Sequence, residues 1–231
     1  MPSPDKTAAP GCCVLAFDTS GPWCSAALLI DGTVADRAHT DLSRGQAEVL
    51  LPMVEGMLRA NGISLGDLSA IGVGIGPGNF TGIRISVAAA RGLALGSGVP
   101  AVGVSLFQVL VQDQQDGPIL ASLPAPRGLA YVQRLQDEAP QGAARLIDPA
   151  APPQDLGITP GTRVIGHRAA EIAAPFAAPW TAAGPEDIAA RIARITAHRL
   201  HTAPGAPRPA PLYVRPAAAA PPREAPVPIL P

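Results

Sequence analysis

Apolar residues along the first half of the chain alternate between strand-like and helix-like spacing. Short apolar runs bounded by turn residues are typical of strands, and the Asp31-Gly32 pair between two of them favours a two-residue hairpin turn. Apolar positions at helical spacing begin after a capping-box pattern at Ser43 and stop at Asn61-Gly62. The pattern predicts strands and helices in the order βββαβαβα: strands over 13–20, 23–30, 33–40, 70–76 and 101–105, and helices over 47–58, 80–96 and 106–113.

The second half repeats this alternation more faintly. Eight prolines lie in residues 1–120 and twenty in residues 121–231, so regular structure is harder to sustain there. Strand patterns over 118–123, 129–135 and 162–167 accompany helical patterns over 170–176 and 186–200. Such alternation predicts an α/β fold of two lobes, each a mixed sheet with helices, the second lobe being degenerate. The predicted divisions are a flexible tail (1–11), a first lobe (12–107), a second lobe (108–203) and a Pro-rich segment (204–231).

The amino-acid composition argues against several classes of function. With 47% hydrophobic and 15% charged residues the chain should be globular, and no stretch approaches the roughly 18 apolar residues of a membrane span. The start of the chain lacks the pattern of a secretory signal, which favours the cytoplasm. Lys6 is the only lysine, which argues against chemistry that needs a lysine amine. A net charge of -1 and 3% aromatic residues argue against direct nucleic-acid binding, so any role with a nucleic acid should be mediated by a partner protein.

Polar residues that often carry catalysis or metals are sparse. Cys12, Cys13 and Cys24 form neither a disulfide framework nor a zinc pattern. His198 and His201 could reach one metal from a helix, but no cysteine or carboxylate joins them. The serines lack the glycine-flanked elbow of a hydrolase nucleophile. We therefore expect no bound metal and no cofactor.

Residues 74–82, Gly-Ile-Gly-Pro-Gly-Asn-Phe-Thr-Gly, join a strand to a helix, where phosphate loops commonly lie. Asn79 stands where the dinucleotide fingerprint needs a small residue, and no lysine precedes a hydroxyl residue as in a nucleoside-triphosphate loop. The simpler interpretation is a tight turn in which Asn79 or Thr81 caps the following helix.

The helix after this turn carries small residues at spacings of three and four: Gly82, Ser86, Ala89, Ala90 and Leu93. Such a stripe lets another helix approach closely. The spacing fits packing within the chain and packing against a partner equally well.

Asp18-Thr19-Ser20 ends the first predicted strand. A carboxylate and hydroxyls at that point could face a phosphate and its metal, although this tripeptide is also common in turns. Asp18 and Thr19 are therefore the candidate nucleotide-binding residues.

Four segments together resemble the tRNA threonylcarbamoyladenosine biosynthesis family TsaB: LAFDTS, SRGQAEVLLPMV, GVGIGPGNFTGIRISVAAARGLALG and AVGVS, in that order. The resemblance covers roughly residues 13–107. Its diagnostic part is residues 76–84, where the family reads Gly-Pro-Gly-Ser-Phe-Thr-Gly-Ile/Val-Arg and only Asn79 departs. Farther along, VIGHRAAEI and PLYVR are similar to family segments more weakly.

The resemblance implies an actin-like ATPase (ribonuclease H-like) fold and a non-catalytic role. TsaB proteins accompany TsaD, which transfers a threonylcarbamoyl group to the tRNA adenosine beside the anticodon, while TsaE supplies an ATPase. The family pairs with itself or with TsaD through two helices of the first lobe. Carried onto this sequence, that interface would comprise Arg44, Glu48, Leu51, Met53, Glu55, Met57, Arg84, Ser86, Val87 and Arg91, with Leu51, Met57 and Val87 as its apolar centre.

Residues 123–131 depart from the family. The family has Asp-Ala-Arg-Arg-Gly-Glu-Val-Tyr there, whereas this chain has prolines at 124 and 126 and no carboxylate. An actin-like nucleotide site uses an acidic residue from each lobe, so the second is missing. The prediction is a scaffold subunit that binds TsaD and TsaE, meets tRNA only indirectly and has no catalytic residue. The alternatives are an actin-like small-molecule kinase or ATPase using Asp18 and, least supported, a peptidase acting on TsaD.

Overall fold

A computed structural model describes residues 11–114, 117–202, 205 and 207–214. The predicted flexible tail, apart from Gly11, and most of the predicted Pro-rich segment lie outside these residues. The chain forms two mixed sheets with helices, so the predicted α/β class is confirmed. Within the same residues, no helix combines the length and apolarity needed to cross a bilayer.

The first sheet has strand order β3-β2-β1-β4-β5. Its strands are β1 (Cys13–Asp18), β2 (Trp23–Ile30), β3 (Thr33–Asp41), β4 (Ala70–Gly74) and β5 (Ala101–Val104). β1, β2 and β3 pair antiparallel, and β4 and β5 run parallel to β1. At the β2–β3 turn Asp31 and Gly32 have φ of 47° and 81°, the positive values that the predicted hairpin turn requires.

Helices cover both faces of this sheet. Successive strand residues point to opposite faces, so Leu15 and Phe17 pack against α1 (Gln46–Ala60) and α2 (Phe80–Ser97). Val14 and Ala16 instead belong to the cluster that includes α5 (Ile188–Thr202).

α5, at the far end of the predicted second lobe (108–203), packs on the first sheet, against β1, β2 and β4. Ile192 and Thr196 fill the space over Gly72, where an added Cβ would lie 2.9 Å from Ile192 Cγ2 and closer still to Thr196. Ile188, Ile192 and Ile195 of this helix share one apolar cluster with residues of both sheets.

The second sheet has strand order β11-β10-β6-β7-β8, with β9 also pairing with β7. Its strands are β6 (Pro118–Pro124), β7 (Ala130–Gln136), β8 (Ala139–Pro140), β9 (Arg145–Ile147), β10 (Arg163–Gly166) and β11 (Trp180–Thr181). α3 (Leu106–Val111) links the sheets, and α4 (Ala169–Ala173) packs on β10. A 3₁₀ turn that contains Pro175 follows α4, so the helical pattern predicted over 170–176 is only partly α-helical.

The sequence predicted the C-terminal end of α1 correctly but not its N-terminal end. Asn61 caps its C-terminus and Gly62 has φ of 66°, as the stop signal indicated. The capping box predicted at Ser43 is wrong, because α1 begins at Gln46 after Gly45, whose φ is 89° and which makes no side-chain cap. The left-handed glycine sets the direction of entry into the helix.

Candidate functional site

A cleft of about 430 Å³ lies between a turn of the first sheet and a hairpin of the second. Residues 20–23, which join β1 to β2, form one wall, and residues 123–126 with Tyr131 form the other. In the actin-like fold implied by the sequence resemblance, phosphates lie between these two hairpins. The cleft is therefore where a nucleotide site should be sought.

Asp18 lies beside this cleft, but its carboxylate is committed to neighbouring residues. It is fully buried. Oδ1 accepts hydrogen bonds from Trp23 Nε1 at 2.7 Å, Ser20 Oγ at 2.9 Å and the Ser20 backbone N–H at 3.1 Å. Oδ2 has no hydrogen-bond partner among the described residues, and a Cβ added at Gly74 would overlap it. The carboxylate is thus enclosed by protein.

Burial raises the pKa of Asp18 above its usual value of 3.8, because desolvation disfavours the charged form. The hydrogen bonds from Trp23 and Ser20 act in the opposite direction but are outweighed. A metal ligand needs the opposite conditions, an ionised carboxylate with an oxygen open to the site.

Thr19, the second candidate, is also occupied within the fold. Its Oγ1 donates to Gly82 O at 2.7 Å, while the Asn79 backbone N–H donates to Ser20 O at 2.6 Å. A Cβ at Gly82 would overlap Thr19 O, and one at Gly78 would overlap Ser20 O. These close approaches fix the turn that carries Asp18 and Thr19 to the start of α2.

Asn79 caps α2, as the sequence predicted. Its Oδ1 accepts from the backbone N–H groups of Thr81 at 2.9 Å and Gly82 at 3.1 Å. Gly76 in the same loop has φ of 93°, a conformation that glycine adopts readily. Since a helix N-terminus binds phosphate through free N–H groups, a side chain that occupies them favours the structural interpretation of this loop.

The second hairpin supplies no charge to the cleft. Pro124 ends β6 and Pro126 begins a 3₁₀ turn, and the cleft wall contains no Asp, Glu, Lys or Arg among the described residues. A nucleoside triphosphate with its divalent cation needs both cationic and acidic partners. The residues present do not fit that group. Likewise, no cluster of three or more His, Cys, Asp or Glu suited to a metal ion occurs in the described ranges.

The predicted partner-binding residues fall into two groups. Arg44, Glu48, Leu51, Glu55, Arg84 and Arg91 are exposed, and Met53 is half-buried. Leu51 is 50% exposed. Met57, Ser86 and Val87 are instead inside the chain, with exposures of 4%, 0% and 3%.

Met57 and Val87 therefore cannot form the apolar centre of an interface, and that part of the prediction is wrong. Both pack into the core cluster beneath the first sheet. Ser86 Oγ donates to Gly74 O at 3.2 Å, which satisfies its hydroxyl within the fold. The small-residue stripe is likewise mainly internal, since Gly82, Ser86 and Ala90 all face the sheet.

Two surface features were not found from the sequence. Leu95 on α2 is 83% exposed. Arg84 is covered in part by residues 207–214: its Nε donates to Tyr213 Oη at 2.8 Å, and its guanidinium carbon lies 3.8 Å from the centre of the Phe80 ring. The PLYVR segment was the available signal, but its position against α2 depends on tertiary contacts.

Two mixed sheets with paired hairpins facing a central cleft place the chain in the actin-like ATPase-related fold class. A component of (R)-2-hydroxyglutaryl-CoA dehydratase from Acidaminococcus fermentans shares this fold at a TM-score of 0.50 and 8% identity, over 83% of this chain and 100% of that one. A Pseudomonas aeruginosa protein described as similar to peptidase YEAZ superimposes with a TM-score of 0.66 and 26% identity, over 88% of this chain and all of that one.

Sequence comparison identifies the family. The profile described as TsaD, tRNA N6-adenosine threonylcarbamoyltransferase, matches residues 40–154. TsaB of Escherichia coli is 42% identical over 123 residues, which are 51% of this chain and 52% of that protein. An uncharacterized Mycobacterium tuberculosis protein is 33% identical over 168 residues, 72% of this chain and 76% of its own length. The chain belongs to the TsaB family, although it spans about half the length of the curated TsaB proteins that it matches.

Proposed function

We propose that this chain acts in tRNA threonylcarbamoyladenosine biosynthesis as a non-catalytic scaffold subunit that pairs with TsaD. The assignment to this pathway rests on similar proteins that are named for it. The non-catalytic role is supported above all by the cleft, whose described wall carries no charged side chain. Asp18, the carboxylate predicted for this site, is buried against Trp23.

The outward faces of α1 and α2 suit a helical partner. Leu51 and Leu95 expose aliphatic surface, and exposed charged residues lie on the same two helices. An added Cβ at Gly56, Gly92 or Gly96 would have no neighbour within 4 Å. Small residues on an open helix face let a second helix approach closely, so burial of the exposed leucines would supply the main favourable term.

The proteins of the complex have separate roles. TsaD carries the transfer reaction, TsaE joins the assembly as an ATPase, and tRNA meets this chain only through the complex. The same α1–α2 face serves a homodimer in the absence of TsaD. The site of action is the cytoplasm, where tRNA is modified.

Co-elution tests the pairing. The purified chain mixed with its TsaD should run as one complex in size-exclusion chromatography, and Leu51→Asp should abolish the shared peak because a carboxylate would be buried in the contact. Leu65→Asp is the matched control, since Leu65 is also exposed but lies outside both helices. Separate elution of the parent proteins, or equal loss in both variants, would contradict the proposed interface.

Reconstituted tRNA modification tests the absence of catalysis. Asp18→Asn keeps an oxygen that can accept from Trp23 and Ser20, so the fold should survive. The scaffold role predicts an unchanged modification rate and no nucleotide hydrolysis by the isolated chain. A large loss of modification by a folded variant, or brisk hydrolysis that slows in it, would favour the kinase or ATPase alternative.

A further inference from the structure

The indole of Trp23 covers the turn that would face phosphates in an actin-like nucleotide site. A Cβ added at Gly21 would overlap the six-membered ring of this indole, so the ring lies against the backbone of the turn. Trp23 Nε1 donates to Asp18 Oδ1 at 2.7 Å, which fixes the orientation of the ring. The first wall of the cleft therefore presents a fixed aromatic surface, which suits a flat ring better than an anion.

Tyr131 contributes a second aromatic ring from the opposite wall of the cleft. Its side chain is almost completely enclosed, since the residue is only 7% exposed. Its hydroxyl nevertheless forms no hydrogen bond with any residue that the structure describes. Because a buried tyrosine hydroxyl usually has a partner, this group is a donor and acceptor available to a ligand in the cleft.

The rest of the described wall is apolar, with a few neutral polar groups. Leu106, Pro124 and Pro126 contribute aliphatic surface, while Ser43 contributes a hydroxyl and Asn79 an amide. Asn79 Oδ1 caps α2, but its Nδ2 forms no hydrogen bond with another described residue. The volume of about 430 Å³ falls in the range of about 300–1,000 Å³ that is typical of small-molecule pockets. Such pockets combine apolar and aromatic walls with a small number of orienting polar groups, as this cleft does.

We propose that the cleft binds an uncharged nucleoside, whose base stacks on the Trp23 indole and hydrogen-bonds to the Tyr131 hydroxyl. A nucleobase combines a flat ring with an edge of donors and acceptors, and its stacking on an aromatic side chain strengthens binding by about 5–140-fold. The neutral groups of Ser43 and Asn79 suit ribose hydroxyls. A phosphate finds no cationic partner on the described wall. This inference goes beyond the scaffold role and does not depend on it, because binding requires neither TsaD nor catalysis.

Quenching of Trp23 fluorescence measures this binding. In a Trp180→Phe background Trp23 is the only tryptophan, and Trp180 lies on β11, outside the cleft wall. Adenosine, guanosine, cytidine and uridine are titrated to about 1 mM, and at least one should quench saturably. Its triphosphate with magnesium should bind at least about tenfold more weakly, because its charges lack partners. No saturable quenching by any nucleoside, quenching by a proline-rich peptide alone, or equal or tighter binding of the triphosphate would overturn the proposal.

Two variants in the same background locate the bound nucleoside. Tyr131→Phe keeps the ring and removes the hydroxyl, so it should weaken binding by about 2–12-fold, the value of one hydrogen bond. Ala125→Leu adds bulk to the cleft wall and should abolish saturable quenching. Ala139→Leu, on β8 and outside the wall, is the matched control and should bind like the parent. Circular dichroism checks that each variant is folded. Unchanged affinity in folded Tyr131→Phe, or equal effects of the two leucine substitutions, would overturn the proposal.

Discussion

Replacing Trp23 with phenylalanine removes the indole N–H that donates to Asp18 Oδ1 at 2.7 Å. Asp18 is fully buried, so the lost donor is not compensated by bulk solvent in the parent arrangement, and hydrogen bonds to charged groups contribute about 1.5–3 kcal/mol. We expect a loss of that size in the free energy of unfolding when Asp18 is ionised. For a chain of this length it corresponds to a fall in melting temperature of about 2–4 °C per kcal/mol.

The loss should depend on pH. Burial raises the folded-state pKa of Asp18 above 3.8, so its contribution to stability is complete below the unfolded-state pKa and is lost as pH rises through the folded-state pKa. Trp23→Phe removes a bond that lowers this pKa and therefore raises it further. The variant should differ little from the parent in acid, apart from a constant packing loss, and most at alkaline pH.

Urea unfolding followed by circular dichroism at several pH values measures this difference. The control is Trp23→Phe in an Asp18→Asn background, where no carboxylate titrates and the pH-dependent part should vanish. A loss that is constant with pH, or that has the same pH dependence in the control background, would refute the reasoning.

Three further outcomes follow from packing and burial. Gly82→Ala should destabilise the fold by more than about 2 kcal/mol, since its Cβ would overlap Thr19 O. Gly92→Ala has open space around it and should stabilise α2 by about 0.5–1 kcal/mol. Thermal unfolding of the two variants and the parent measures both effects. Burial raises the pKa of the Cys13 and Cys24 thiols to about 11, so mass spectrometry after brief alkylation near neutral pH should find half-exposed Cys12 modified and the other two protected. Modification of Cys13 or Cys24 at a similar rate would contradict the buried strand arrangement.

Features set by a few neighbouring residues were predictable. The Asp31-Gly32 turn, the Asn79 cap and the stop at Asn61-Gly62 each depend on contacts that span a few positions. Ser43 shows the limit of such rules, because Gly45 adopts a left-handed conformation and leaves no place for the predicted cap. A local signal holds where no alternative local conformation competes with it.

The sequence indicated where the candidate site lies but not whether the Asp18 carboxylate is free to bind a ligand. Asp18 ends the first strand and accepts hydrogen bonds from Ser20 and Trp23, which line the cleft. Whether its carboxylate could bind a metal depended on Trp23, five residues away, whose indole reaches back across the turn. Trp23 carried no recognised signal in the sequence, since an aromatic residue at the start of a strand is ordinary.

The alternation of strands and helices, the missing carboxylates of the second hairpin and the family could all be inferred from the order of residues alone. Which apolar residues of α1 and α2 remain on the surface depends on packing between distant segments: Leu51 is exposed, whereas Met57 and Val87 are buried. Such packing also placed α5 on the first sheet. The physical reason is that periodicity identifies an apolar face, but the surface that covers this face is supplied by residues distant in the chain.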